Sequence, residues 1–345
     1  MITNLTRHRL FWPFAVLVLL LVLNLFFSNN FFRITVQDGH LFGTIIDIFR
    51  RAAPLTLVAI GMTLVIATGG IDLSVGSVMA VSGALACLLI GDLGDPHSVA
   101  GVVGAVLLAL LLCLVLGVWN GFLVSVIGIQ PIVATLILMV AGRGLAQLIT
   151  DGQILNVTSD PYRVIGAGYF LGLPVSVLIA AAVLVVAILL TTRTALGLLL
   201  QAVGGSPDAS RLAGINARGL TWLVYVIAAV CAGIAGLIYS SNVASADSNA
   251  AGNLIELDAI LAVVIGGTAL TGGRFSLAGT ALGAILIETL NITILSVGIP
   301  VEATLLFKAV VVVVLCLGQS AAFRARVLGR GNKPQPALTT KEAAA

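Results

Sequence analysis

Apolar runs of about twenty residues, separated by short polar or glycine-rich breaks, recur along most of this chain. A helix needs about 20 apolar residues to cross the hydrocarbon core of a bilayer. On that rule the pattern predicts spans near residues 10–27, 53–69, 73–91, 99–119, 131–149, 174–192, 220–240, 257–270, 276–297 and 301–319. The eighth run is short, and little more than a glycine turn separates the second from the third. The predicted fold is all-α, a polytopic transmembrane helix bundle of about ten spans with Gly-interrupted helices. It occupies residues 1–320. The stretch 321–345, which closes with "KPQPALTTKEAAA", has the composition of a disordered cytoplasmic tail.

Composition excludes a soluble fold. The chain is 59% hydrophobic and 9% charged, against about 25% charged in a soluble domain. The run after Arg7-His8-Arg9 has no small-residue cleavage site behind it, so it reads as a signal anchor. The net charge of +3 carries no signature of nucleic-acid binding, but its distribution sets an orientation. With both termini cytoplasmic, that face receives eleven Lys and Arg, among them Arg193, Arg211, Arg218 and Arg274. The opposite face keeps four: Arg33, Arg50, Arg51 and Arg163. The cysteines (Cys87, Cys113, Cys231, Cys316) lie inside apolar runs without metal or redox spacing, and read as packing residues.

One interior loop stands apart. "QAVGGSPDASRLAGINAR", residues 201–218, falls between the sixth and seventh spans on the predicted cytoplasmic side. Ser206 is a good N-cap, and Pro207 suits the first helical position. Asp208 lies in the first turn and Arg211 further along, both favourable to the helix dipole. Gly214 supplies a left-handed stop. A helix so short is marginal in water and needs a surface to dock on. The plainer reading is a solvated connecting loop.

A second feature is an internal echo. "TGGIDLSVGS" (68–77) and "TGGRFSLAGT" (271–280) align at a constant separation of 203 residues. Gly69, Gly70 and Gly76 match Gly272, Gly273 and Gly279. Glycine-interrupted apolar segments in two halves of a chain are the mark of broken helices beside a transport pathway; a coincidence in a Gly-rich chain is the other reading.

Ionisable residues at membrane depth sharpen the picture. Asp72, Arg143, Glu288 and Lys308 all interrupt apolar runs. Each charge there costs about 2.5–3.5 kcal/mol on insertion scales, so each should face protein or a wet cavity. Asn120 and Gln130 flank the "GFLVSVIGIQP" break, and Thr135 follows, so Asp72, Asn120, Gln130, Thr135 and Arg143 are candidates for a polar path. Asp72 is the expected carboxylate partner of Arg143, with broken-helix carbonyls as the alternative acceptors. Glu288 and Lys308 read as helix–helix hydrogen bonding or snorkelling.

No lysine follows a glycine-rich phosphate loop, so the chain has no nucleotide site of this type. The three histidines have no metal or catalytic spacing, which argues against an enzyme. Three classes remain: the membrane subunit of an ATP-driven transporter, an ion-coupled carrier, and a membrane enzyme or structural bundle. The capped cytoplasmic helix without a phosphate loop favours the first.

Four stretches carry a family likeness: "AIGMTLVIATGGIDLSVGSVMAVSGA", "GVWNGFLVSVIGIQPIVATLILMVAGRGLAQLITDGQ", "ALGLLLQAVGGSPDASRLAGINAR" and "AILAVVIGGTALTGGRFSLAGTALGA". Over residues 45–320 the chain resembles the ribose-type permeases of bacterial carbohydrate ABC importers. "QDGHLFGTIIDIFRRAAPLTLVAIGMTLVIATGGIDLSVG" and "QPIVATLILMVAGRGLAQLIT" resemble most the galactofuranose-importing subgroup. The resemblance implies a bacterial inner membrane location, a second permease subunit, a periplasmic sugar-binding protein and a cytoplasmic ABC ATPase that holds ATP and Mg. It also implies that residues 206–214 couple to that ATPase, and that sugar crosses between two permeases by alternating access.

Overall fold

The computed structural model describes residues 11–27, 31–37, 39–298 and 300–319. The expected tail at 321–345, with Arg7 and Arg9 of the orientation count, lies outside them, as does the Cys316 side chain. Helices α1 (Phe11–Phe27), α2 (Thr44–Ala67), α3 (Val75–Gly91) and α4 (Val99–Phe122) come first. A π-helical turn, Leu123–Ile127, extends α4 before α5 (Pro131–Ile149), α6 (Asp160–Ala167) and α7 (Val175–Arg193). Then follow α8 (Leu196–Gly205), α9 (Pro207–Leu212), α10 (Ala217–Val243), α11 (Ile255–Ile265), α12 (Leu277–Ser296) and α13 (Val301–Gln319). Three two-stranded ribbons cap one end of the bundle. They pair β1 (Thr35–Gln37) with β2 (His40–Phe42), β3 (Leu155–Asn156) with β6 (Ser245–Ala246), and β4 (Tyr169–Phe170) with β5 (Leu173–Pro174), all antiparallel.

Six described helices are long and apolar enough to cross a membrane: α2, α4 with its π turn, α5, α7, α10 and α12. Helices α1, α3 and α13 coincide with the first, third and tenth predicted spans. The eighth prediction fails. Helix α11 has 11 residues, about 16 Å of rise, roughly half the hydrocarbon thickness. The second span also starts earlier than predicted. Arg50, Arg51 and Pro54 are inside α2, because neighbouring helices satisfy the groups a proline frees.

The core forms around α2 and α10, which are buried along most of their length. Small residues let the backbones meet: a Cβ at Gly236 of α10 would lie 2.2 Å from the Met79 carbonyl oxygen of α3, and one at Gly61 of α2 would lie 2.6 Å from Cα of Ala228. Such contacts are how membrane helices associate without a hydrophobic drive between them. Cys87, Cys113 and Cys231 are buried free thiols in this packing. Leu107, Leu111, Val140, Leu148, Val185 and Leu189 project outward from α4, α5 and α7 as a lipid-facing surface.

The chain after α10 turns back into the bundle. Residues 247–254 are not helical, yet Gly252 packs directly on Gly76 in the first turn of α3. The eighth predicted span is thus a half-length helix, and the re-entrant loop that leads into it falls where the pattern predicts an outer loop. Non-helical backbone survives at such depth only where protein or a wet cavity satisfies it.

Candidate coupling segment and re-entrant cavity

At the end of the bundle opposite the ribbons, α8 and α9 lie between α7 and α10. Ser206 has extended backbone, and its hydroxyl accepts from the Ala209 amide at 3.3 Å. Pro207 occupies the first turn, where no amide donor is needed. Gly214 adopts φ +81° and donates to the Arg211 carbonyl, while the Ile215 amide bonds back to Ser210. Asp208 and Arg211 form an exposed pair at 3.7 Å. Leu212, which the sequence reading passed over, is 92% exposed. It stands beside the exposed ion pair on this short capped helix.

The segment is fixed to the interior at its other end. Gly204 of α8 is wedged against α2: a Cβ there would lie 1.8 Å from the Ala67 oxygen and 2.5 Å from the Gly273 amide nitrogen. The Gly273 amide donates to that same Ala67 oxygen at 2.9 Å. A Cβ on Gly272 would touch Gly69 at 3.0 Å. The two Thr-Gly-Gly turns therefore meet each other and α8 at one joint. Gly69 and Gly272, partners in the echo, share left-handed φ of +84° and +87°; Gly70 lacks the positive φ that Gly273 has. One helical turn away, the Thr63 and Thr280 hydroxyls bond across the joint at 2.8 Å. Gly279 faces α11, where Gly266 lies against its backbone.

Asp72, Asn120 and Thr135 gather at the first of these turns. The Asp72 carboxylate accepts from the Ser74 amide at 2.9 Å and its hydroxyl at 2.6 Å, and the Asn120 amide donates to that hydroxyl at 2.9 Å. The Thr135 hydroxyl reaches the Ile71 carbonyl at 3.4 Å. All three residues are buried. This network ties α3, α4 and α5 to the turn, and none of its members lines the cavity described below. Gln130 is exposed at the start of α5 and joins none of them.

Arg143 does not meet Asp72. Its guanidinium donates to the backbone carbonyls of Ser248 and Ala251 at 2.7 and 2.6 Å. The expected carboxylate is wrong: Asp72 bonds Ser74, and Arg143 instead meets a re-entrant loop, which leaves carbonyls without helical donors. Around this grip, Gln147 donates to Asn249 at 2.8 Å, and Asp247 caps the amides of Asn249 and Ala250. Gly76 closes the other side of the loop: a Cβ on it would lie 2.3 Å from the Gly252 oxygen.

Above the loop, a cavity of about 560 Å³ opens among α2, α10, α11 and α12 toward the ribbon-bearing end. Arg50, Asn242, Asp258 and Glu288 line it, with Tyr239 and Met79. Arg50 donates to the Asn242 side chain at 2.7 Å. Lys308 of α13 bonds both oxygens of Asp258 at 2.9 Å. Sequence reading assigned Glu288 and Lys308 to packing, placed Arg50 in a loop and passed over Asp258 and Asn242. The available signal was the cost of charge at depth, which predicts a wet cavity whenever several charges share a level.

Comparison with known proteins supplies the remaining observation. A family model described as branched-chain amino acid transport system, permease component, matches residues 44–316. The galactofuranose transporter permease protein YtfT of Escherichia coli (strain K12) is 46% identical over 95% of this chain and 96% of its own length. The fructose import permease protein FruF of Bifidobacterium longum is 40% identical, over 92% of this chain and 90% of that one. The ribose import permease protein RbsC of Escherichia coli (strain K12) is 36% identical over 88% and 91%. No solved structure matches the chain.

Proposed function

This chain belongs to the permease-component family of branched-chain amino acid transport systems, and from that premise we propose that it is the membrane subunit of an ATP-driven monosaccharide importer. It is a multi-pass membrane protein and a transport component, not an enzyme. The sugar is galactofuranose or another pentose or hexose, in keeping with the substrates named for its relatives. Its partners in this reading are a cytoplasmic ABC ATPase, a second permease, identical or homologous, and a periplasmic sugar-binding protein docked on the ribbon-bearing end. Both termini are cytoplasmic. ATP and Mg belong to the ATPase, and the chain itself carries no cofactor.

The observation that carries this reading is the joint at Gly204. A surface helix with its own caps is continuous with α8, and α8 is in backbone contact with both Thr-Gly-Gly turns. Movement imposed on Ser206, Pro207, Asp208, Arg211 and Gly214 by a closing ATPase would reach the ends of α2 and α11 without passing through flexible side chains. Alternating access follows if those turns tilt the helices that frame the path.

Copurification from native membranes, followed by sugar-stimulated ATP hydrolysis in nanodiscs, tests the assignment. The expected result is a stoichiometric ATPase and hydrolysis that rises with loaded binding protein. The alternative is an ion-coupled carrier, which the intramembrane acids Asp258 and Glu288 favour. Sugar uptake by the chain alone on a proton or sodium gradient would establish that alternative and overturn the first.

A further inference from the structure

The ribbons at one end of the bundle differ in chemistry. Around β3 and β6 the exposed side chains are charged: Asp92, Asp95, His97, Asp160 and Arg163. The β4–β5 hairpin, residues 169–174, carries no charge, and its Phe170 and Leu171 are 61% and 87% exposed. We propose that this hairpin is a lipid anchor, its tip seated in the headgroup region of the leaflet at the ribbon-bearing end. The inference needs only a membrane-spanning chain and is independent of which solute the chain helps to move.

The turn is the first observation. Tyr169 pairs with Pro174 and Phe170 with Leu173, which leaves Leu171 and Gly172 as a two-residue connection. Both have left-handed backbone, with φ of 51° and 79°, as a type I′ turn requires. In water the first of these positions suits asparagine or aspartate, whose short polar side chains tolerate that conformation. Leucine bears the full steric cost of a left-handed Cβ and, facing water, would also leave its apolar surface wet. Lipid contact removes that second cost.

Depth is the second observation. Helix α7 begins at Val175, directly after the hairpin, and ends at Arg193. Its 19 residues rise about 28 Å, which matches a hydrocarbon core of about 30 Å. With the exposed Arg193 at one boundary, the hairpin lies just beyond the other, at headgroup level. Helix α7 is also the least buried of the six long spans, so the hairpin continues a lipid-facing wall. Its base is held by the neighbouring ribbon. The Tyr169 ring stacks on His40 at 4.6 Å and tilts against Phe42 at 5.3 Å, and the Leu41 amide donates to the Gly172 carbonyl at 3.1 Å. A ring with an apolar body and a polar tip suits the membrane–water boundary. The charged β3–β6 side stays in water, as the surface open to a soluble protein.

The test uses the full chain with its copurified partners in nanodiscs, its four native cysteines replaced by alanine and Leu171→Cys labelled with a polarity-sensitive fluorophore. Nitroxide lipids, with the spin label near the headgroup or at the end of the acyl chain, report lipid contact, and aqueous iodide reports water. The headgroup-level nitroxide should quench strongly, the chain-end nitroxide weakly and iodide hardly at all. A probe at Asp160→Cys, on the charged side, should be quenched by iodide and spared by both lipids. Leu171→Asn suits the turn better than leucine does, so the fold survives it. With the probe moved to Phe170→Cys in that variant, iodide quenching should rise several-fold as the tip leaves the lipid. Iodide quenching at Leu171→Cys, or an unchanged probe in the Leu171→Asn variant, would overturn the anchor. Iodide quenching that a soluble partner abolishes would also overturn it, making the tip a protein-docking surface. Shielding from all quenchers would do the same by placing a second permease over the tip.

Discussion

Two interruptions between the long helices of this bundle are held in opposite ways. The segment 206–214 is stabilised by its immediate neighbours: Ser206 with Ala209, Asp208 with Arg211, and Gly214 with Arg211. The loop 247–254 is held from far away in the chain, by Arg143 over more than a hundred residues and by Gly76 over more than that. The first is exposed and free to engage a partner, with Leu212 at its tip. The second is enclosed and shapes the cavity floor. A helix proposed to couple to an ATPase needs surface and local self-sufficiency. A pathway element at membrane depth needs every carbonyl met by another part of the fold.

Substitutions can break this contrast, and the largest effect is expected at Gly76. Gly76→Val would drive a side chain into the Gly252 carbonyl and the Glu256 carboxylate. Overpacking of this kind costs about 3 kcal/mol or more where backbone faces backbone. The importer should lose its sharp thermal transition in nanodiscs; an unchanged melting temperature would mean that the loop is not seated on α3.

Arg143→Ala comes next. It leaves the Ser248 and Ala251 carbonyls without their donor, at about 1–3 kcal/mol for each buried group. Hydrogen exchange across 247–254 should accelerate and transport should be lost, while the chain still reaches the membrane. Arg143→Lys should recover only part, since one ammonium replaces a fork of donors. Wild-type exchange and transport in Arg143→Ala would remove the clamp.

At the other region, Leu212→Asp should leave the melting temperature unchanged, because the side chain touches little of its own fold. Sugar-stimulated ATP hydrolysis should fall about tenfold, the usual effect of removing a central apolar anchor from an interface. Full stimulation would show that the ATPase docks elsewhere. The smallest effect belongs to Asp208→Ala. Its ion pair with Arg211 is exposed and 3.7 Å long, and such pairs contribute little. ATP hydrolysis should change by less than about twofold, and a larger loss would give Asp208 a contact in the ATPase itself.

The same contrast explains what could be read without coordinates. Apolar runs of membrane length and the Ser206-Pro207 to Gly214 signals were sufficient for the helices and for the capped surface helix, because both depend on residues within a few positions of one another. The repeat of Thr-Gly-Gly turns was also visible, as was the need of Arg143 for carbonyl or carboxylate acceptors. Which acceptors those are was not visible. The sequence pointed to Asp72, but that carboxylate bonds Ser74, and the carbonyls came from residues 248 and 251, which the pattern assigns to an outer loop rather than to the interior of the bundle. The contact between the two turns, the wedge of Gly204 and the gathering of Arg50, Asn242, Asp258 and Glu288 around one cavity were likewise beyond reach. Each joins segments from distant parts of the chain, and periodicity and capping carry no information about which distant backbone will fill the space a glycine leaves. That choice is made only when the helices pack, because close backbone approach and charge pairing at membrane depth are properties of the assembled bundle.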